Sequence, residues 1–210
     1  MNTTSTPKTA RVAARTTLTP QSWIDAATEV LVDRGIDNVR VDVLAGELAV
    51  TRGSFYWHFR DREDLLRQVL KAWRDNATEQ LTARLERASR DPLAQLRDVL
   101  SLPFRGRAAV RAARIELALR AWARHDSMAR AAVDEADASR IDYIAQVFSA
   151  LGFAPIESRH RAFVLYSYLV AESQLTPVSG AQQRAERRRF VEQLVLQPLG
   201  AGLRGRSRTI

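Results

Sequence analysis

Apolar residues recur at helical spacing along most of the chain. Trp23, Ala27, Val30 and Leu31 fall on one face of a helix that begins at the capping pair Thr19-Pro20. Gly35 ends that helix, because glycine accepts the left-handed conformation common after a helix. The same spacing predicts helices over residues 41–48, 52–58 and 62–89. No stretch alternates apolar and polar residues as a strand would, so we expect an all-α protein.

The second half continues this pattern. Asp91-Pro92 starts a short helix that Pro103 closes, and further helices are predicted over residues 107–125, 127–151, 155–175 and 184–199. Residues 162–171 are apolar nearly all round, which predicts a helix buried on more than one side. The sequence thus predicts about nine helices in all.

Composition narrows the possibilities. Of the 210 residues 46% are hydrophobic, enough for a real core, and no apolar run has the ~18 residues of a membrane helix. The N-terminus has no apolar segment typical of a signal peptide. The absence of cysteine excludes disulfides and suits the cytoplasm. We expect a disordered basic arm (1–18), an N-terminal domain (19–66), a larger C-terminal domain (67–200) and a flexible tail (201–210).

The net charge of +8 does not by itself locate a nucleic-acid surface. Residues 1–64 carry eight basic and nine acidic residues, whereas the surplus lies in 101–130 and 184–210. Lys8 and Lys71 are the only lysines. Arginine suits phosphate and guanine, but such a bias more often reflects the codon usage of a GC-rich genome.

The most informative segment is residues 43–59, two short helices joined by a tight turn at Ala49-Val50. A helix-turn-helix places the first turn of its second helix in the major groove of DNA. Thr51 is predicted to cap that helix, and Arg52 is the side chain best suited to guanine. Phe55 and Phe59 are predicted to pack inward. The residues that we expect at the DNA surface are Arg40, Thr51, Arg52, Gly53, Ser54, Tyr56, Trp57, His58 and Arg62, the last as a phosphate anchor at a helix N-terminus.

The span from Gly35 to Leu66 resembles the N-terminal domain of TetR-family transcriptional regulators. The matching residues are Leu44-Ala45, Val50-Thr51, Phe55-Tyr56-Trp57-His58-Phe59 and Arg62-Glu63-Asp64-Leu65. Two positions depart from the family pattern. Ala49 stands where glycine is usual, which predicts strain in the turn, and Arg40 stands where threonine often caps the second helix, which removes a cap.

The resemblance implies that residues 19–66 form a three-helix helix-turn-helix DNA-binding domain and that residues 67–200 form a helical domain for ligand (effector) binding and dimerisation. It also implies a homodimer that binds a palindromic operator and releases it when a small ligand enters the C-terminal domain. A single short helix contacts few base pairs, which independently favours two copies. By the family's layout the last two helices pair across the dimer, with Phe163, Tyr168, Leu169, Phe190, Leu194 and Val195 as candidates. Candidates for the effector pocket are Phe104, Ile115, Leu119, Trp122, Tyr143, Val147, Phe148 and Tyr166, with Arg114, Glu116 or His125 as polar groups. The ligand is expected to be apolar or aromatic.

Two other classes of function remain as alternatives. An enzyme or metalloprotein is disfavoured, because His58, His125 and His160 are scattered and no phosphate-binding glycine motif occurs; we expect no cofactor and no metal. An architectural or partner-recruiting DNA-binding protein is harder to separate by sequence. A large exposed apolar patch without an internal cavity would favour it.

Overall fold

The structure, a computed structural model, describes residues 18–79, 82, 83, 85, 87, 89–175 and 180–198. Within these residues the chain forms eight α-helices and no strand. They are α1 (Pro20–Arg34), α2 (Val41–Glu47), α3 (Arg62–Arg74), α4 (Pro92–Ser101), α5 (Gly106–Trp122), α6 (Ser127–Ala150), α7 (Pro155–Gln174) and α8 (Ala181–Leu196). The predicted all-α class is therefore confirmed. The predicted tail, and the predicted arm apart from Leu18, lie outside the described residues.

Capping residues in the sequence predicted most helix starts correctly. The Thr19 side chain accepts from the Ser22 amide, and Asp61 and Asp126 cap α3 and α6 in the same way. Gly35 ends α1 with φ 80° and ψ 172°, a positive φ but not the left-handed helical conformation that we predicted.

The predicted helix over residues 52–58 is instead a 3₁₀ helix, Arg52–Trp57. Thr51 does not cap it with its side chain, contrary to prediction. The Thr51 carbonyl oxygen accepts from the Ser54 amide at 3.1 Å. This bond closes an i to i+3 turn of the tight 3₁₀ kind.

The predicted long helix over residues 62–89 is helical at every described position up to residue 87, but its hydrogen-bond pattern changes partway. The α-helix ends at Arg74, and Asp75–Glu79 form a π-helical segment. Such segments carry an extra residue per turn and interrupt the helix. The link between the N-terminal and C-terminal helices therefore contains a discontinuity.

Two clusters of buried side chains hold the molecule together. The first joins α1, α2, the 3₁₀ helix and α3 to the end of α5 and the start of α6, around Trp23, Phe55 and Leu119. The second joins α4, the end of α6, α7 and α8, around Leu96, Phe148 and Leu165. The predicted boundary at residue 66 falls inside α3, and the first cluster continues across it.

The prediction that α7 is buried on several sides is wrong for the single chain. Ala162, Leu165 and Leu169 are buried, whereas Phe163 is 61% exposed and Val164 is also exposed. On α8 only Val195 is buried. None of the helices in the described part of the chain is both long and apolar enough to cross a bilayer.

Candidate nucleic-acid interface and ligand cavity

The 3₁₀ helix is anchored by one face and exposed on the other. Phe55 and Phe59 are buried, as predicted, with their rings stacked at 5.3 Å between centroids. Trp23 of α1 meets Phe55 edge-on, also at 5.3 Å. In contrast, Tyr56 is 59% exposed and Trp57 is 86% exposed. Two fixed aromatic rings therefore hold two other aromatic rings in solvent.

The first turn of this element is open to solvent. Thr51, Arg52 and Gly53 are exposed, and Ser54 and His58 are half-buried. A Cβ added at Gly53 would meet only the Thr51 hydroxyl oxygen, at 3.8 Å. Glycine is thus not required there by the protein itself, which leaves the expected close approach to DNA as a prediction.

The turn that sets the angle of this element is strained at Ala49. Its φ is 54°, the only positive φ outside glycine among the described residues. The positive φ on which the predicted strain depends is therefore present. The Val50 amide donates to the Ala45 carbonyl at 2.9 Å, which fixes the turn to α2.

Two arginines expected at phosphate groups have partners within the protein. Arg40 is the N-terminal boundary residue of α2, without a capping side chain, and its guanidinium binds both carboxylate oxygens of Asp42 at 2.7 and 3.2 Å. Hydrogen bonding from Arg40 lowers the pKa of Asp42. Arg62 donates from Nε to the Val39 carbonyl at 2.6 Å and from Nη2 to the Ile36 carbonyl at 2.8 Å. Arg62 therefore ties the loop before α2 to α3, a role that the sequence did not suggest, and its phosphate contact stays a prediction.

A cavity of about 810 Å³ lies between α1, α3, the π-helical segment, α4, α5, α6 and α7. Of the predicted pocket residues it is lined by Ile115, Glu116, Leu119, Tyr143 and Tyr166. Four other candidates do not line it: Phe104, Trp122, Val147 and Phe148. Val147 and Phe148 are buried in the second core cluster, and Trp122 is buried in the first. Phe104 instead packs beneath the guanidinium of Arg184 at 4.7 Å.

The remaining polar candidates lie elsewhere. Arg114 and His125 border a separate cleft of about 650 Å³ beside the end of α1. Arg114 forms an ion pair with Asp33 at 2.8 Å. The sequence missed Trp73 and Arg140 as cavity residues. They are distant from α5 in sequence, and only the packing of α3 and α6 brings them there.

The dimer candidates divide into two groups. Leu169 and Val195 are buried within the chain's own second core cluster, so their predicted place in the interface is not supported. Phe163, Phe190 and Leu194 are exposed. Tyr168 is half-buried, and its hydroxyl has no partner among the described residues.

Nothing in the described residues assembles three or more potential metal ligands in one place. The His125-Asp126 dipeptide has a structural explanation, because Asp126 accepts from the Ala129 amide. Asp137 binds Arg120 and Tyr166. Burial would raise the pKa of Asp137, but hydrogen bonds from Arg120 and Tyr166 lower it overall.

The N-terminal helices α1, α2 and α3 share a buried core and present an exposed 3₁₀ helix after a tight turn. This arrangement, called the head below, defines a helix-turn-helix DNA-binding domain. Residues 24–69 match the family described as bacterial regulatory proteins, tetR family. The match covers the span that the sequence motifs indicated and leaves the rest of the chain outside it.

Individual relatives extend the comparison. The regulator SrpR of Pseudomonas putida is 42% identical over 60 residues, 29% of this chain and 28% of that protein. The regulator AcrR of Shigella flexneri is 30% identical over 82 residues, 39% of this chain and 38% of that protein. The chain thus matches well under half the length of these relatives.

Solved structures resemble the fold over a larger part of the chain. A transcriptional regulator from Saccharomonospora viridis in complex with choline superposes with a TM-score of 0.68 and 18% identity, over 84% of this chain and 94% of that one. FadR from Bacillus subtilis in complex with stearoyl-CoA has a TM-score of 0.62 and 17% identity, over 85% and 98%. At these identities the likeness concerns the fold.

Proposed function

We propose that this chain is a transcriptional regulator that binds a palindromic DNA operator as a homodimer, most simply as a repressor. It releases the operator when a small, largely apolar molecule enters the cavity. The observation that carries the DNA-binding part is the exposure of Trp57 and Tyr56 on an element that Phe55 and Phe59 hold rigidly. Large aromatic side chains fixed in solvent are typical of a surface that meets a partner.

The residues of the 3₁₀ helix are assigned to different chemical groups of the DNA. Arg52, at its first position and exposed, is assigned to a base edge, with guanine O6 and N7 as the best match. Tyr56, Trp57 and His58 lie one turn later and are assigned to phosphate or to thymine methyl groups. Arg40 could exchange Asp42 for a phosphate, because their ion pair is exposed and therefore weak.

The dimer is proposed on α7 and α8. Phe163 is 61% exposed and Phe190 is 65% exposed, and Leu194 lies one turn beyond Phe190. Burial of such side chains against a second copy would gain about 25 cal/mol per Å² of apolar area. Two copies related by a twofold axis would present two 3₁₀ helices to successive major grooves, about 34 Å apart.

The ligand part rests on the cavity. Its volume of about 810 Å³ lies within the usual range of small-molecule sites, about 300–1,000 Å³. Two structural neighbours were solved with choline and with stearoyl-CoA, which supports a ligand-binding role for this fold without naming the ligand here. The cavity also favours this function over an architectural or recruiting protein, for which we expected a patch without a cavity.

The cavity is lined by residues of α1 and of the π-helical segment, two elements that would have to move for a ligand to reposition the head. Ile24 and Thr28 of α1 line one wall, and Asn76 and Ala77 of the π-helical segment line another. A ligand that contacts both can favour one arrangement of the head over another by its differential affinity. The spacing of the two heads would then no longer match the grooves.

The test of the DNA site is Arg52→Ala. An operator selected from a random pool by the unaltered protein should bind this variant more weakly by roughly 1–3 kcal/mol, with relaxed preference at one position in each half-site. Arg130→Ala is the matched control, because Arg130 is an exposed arginine on α6 with an ion pair to Asp134. Equal affinity and equal base preference of the Arg52→Ala variant and the parent would refute the assigned contact.

A further inference from the structure

One end of the cavity is formed by a cluster of charged groups on α5, α6 and α7. Arg120 binds Asp137 through two nitrogens, at 2.9 and 2.6 Å, and Glu116 at 2.6 Å. Arg140 binds both oxygens of Glu116 through Nη1, at 2.8 and 3.0 Å. Tyr166 donates to Asp137 at 2.6 Å. Two guanidinium groups and two carboxylates thus balance each other in a mostly buried place.

Arg140 uses only one side of its guanidinium for this cluster. Nη1 also donates to the Tyr166 hydroxyl at 3.0 Å, whereas Nε and Nη2 have no hydrogen-bond partner among the described residues. The guanidinium carbon lies 5.4 Å from the centre of the Trp73 ring, and both side chains line the cavity. Neither nitrogen is fully enclosed by protein, so both donors remain open to an acceptor group that enters the cavity.

The charges around the cavity decide what kind of acceptor fits. In the described lining, each arginine already has a carboxylate partner: Arg105 pairs with Asp98, Arg111 with Glu29 and Arg140 with Glu116. Asp25 also lines the cavity, and its partner is the uncharged Gln21. An added carboxylate would therefore lack a compensating cation and carry the full cost of desolvation. An ammonium group has no lone pair to accept from Arg140, and beside that guanidinium it would be repelled by its charge.

We propose that Arg140 binds, through Nε and Nη2, the carbonyl oxygen of a neutral and mainly apolar ligand, such as a ketone, ester, lactone or amide. The apolar body of the ligand lies along Trp73, Ile115 and Leu119, which line the same cavity. This inference rests on the proposed function, since it takes the cavity as the effector site. It adds the chemical class of the effector and the residue that selects it.

The experiment compares three probes of equal chain length: 2-decanone, decanoate and decylammonium. Calorimetric titration of the full chain should show the tightest binding for 2-decanone. The carbonyl stretch of ¹³C-labelled 2-decanone should move to lower frequency on binding, because a charged donor polarises the bond. Arg140→Lys keeps a positive charge beside Glu116 but removes the planar pair of donors. It should weaken 2-decanone binding at least about tenfold and remove the frequency shift.

Arg130→Lys is the matched control, because Arg130 also lies on α6 but pairs with Asp134 and does not line the cavity. It should leave the affinity and the frequency unchanged. Tighter binding of decanoate or decylammonium, or an unshifted carbonyl in the bound state, would overturn this inference and leave the proposed effector site standing. Absence of binding by all three probes would overturn the inference too. The proposed DNA-binding function is measured separately, by the Arg52→Ala comparison.

Discussion

Ala49 has a φ of 54° in the turn between α2 and the 3₁₀ helix. A side chain in this region of conformational space clashes with its own backbone, at a cost of roughly 1 kcal/mol that glycine avoids. The strain lies next to the element proposed to enter DNA. The sequence alone suggested it, because alanine occupies a position where glycine is usual.

Ala49→Gly should therefore stabilise the protein by about 0.5–1 kcal/mol in urea denaturation, after allowing for the greater freedom of glycine in the unfolded chain. Ala138→Gly is the matched control, since Ala138 is an exposed residue inside α6. That change should destabilise by about 1 kcal/mol. A loss of stability at both positions would mean that the turn carries no strain.

Tyr166 gives a pH dependence that can be measured. Its burial raises the pKa to about 12, from the ordinary tyrosine value of 10.0. The folded state then holds the phenol proton more tightly than the unfolded state. This contribution to stability is complete below about pH 10 and is lost as the pH rises towards 12.

We expect the free energy of unfolding to fall between pH 10 and 12 and Tyr166→Phe to make that fall shallower. Urea titrations at several pH values across the window measure both slopes. An identical slope in the variant would show that Tyr166 does not cause the pH dependence.

At the scale of elements, the π-helical segment Asp75–Glu79 separates α3 from the helical residues beyond it. Thr78, in this segment, is buried, and its hydroxyl has no hydrogen-bond partner in the described part of the chain. A buried hydroxyl without a partner costs about 1–3 kcal/mol. The π-helical connection between α3 and the C-terminal helices thus leaves a buried hydroxyl group without a hydrogen bond.

Thr78→Val replaces that hydroxyl with a methyl group of similar shape, and it should raise the free energy of unfolding by about 1 kcal/mol. Thr28→Val is the matched control, because the Thr28 hydroxyl donates to the Ile24 carbonyl at 2.8 Å. That variant should be no more stable than the parent. Both are measured by urea denaturation, and a destabilised Thr78→Val variant would indicate a partner for the hydroxyl.

Element positions were the part of the fold that sequence predicted best. Caps at Thr19, Asp61 and Asp126 act within three residues, so local sequence suffices to place them. The 3₁₀ helix and the π-helical segment were missed. The buried residues Phe55 and Phe59 lie four apart, as in an ordinary helix, so apolar spacing does not distinguish the 3₁₀ form. The segment Asp75–Glu79 has Ala77 as its single apolar residue and offers no spacing from which to predict a π-helical turn.

At the scale of the whole molecule, the exposed apolar residues of α7 and α8 form the proposed dimer interface. Phe190→Glu should convert a dimer into a monomer, because it places a charge where the proposed interface buries an aromatic ring. Sedimentation equilibrium measures the dissociation constant. Val110→Glu is the control, since Val110 is an exposed apolar residue on α5 and should not alter the assembly. An unchanged dissociation constant for Phe190→Glu would place the interface elsewhere.

The two core clusters show how the head is joined to the body. Trp23 and Phe55 belong to the same cluster as Leu119 and Val133, so the DNA-binding head packs directly on α5 and α6. Ion pairs add to this contact, between Arg111 and Glu29 and between Arg114 and Asp33. Because they are exposed, they contribute little stability, about 0–1 kcal/mol each. Apolar packing is therefore the main route by which the cavity could influence the head.

The sequence by itself determined the helical class, most helix starts, the exposed and buried sides of residues 55–59 and the strain at Ala49, because each depends on neighbours within a few positions. Tertiary structure alone decided that Arg62 ties down the loop before α2 and that Arg140 and Trp73 meet at the cavity. It also decided that Leu169 and Val195 belong to the chain's own core. These outcomes depend on which helices pack together, and helical spacing gives the face of a helix but not the surface that covers it.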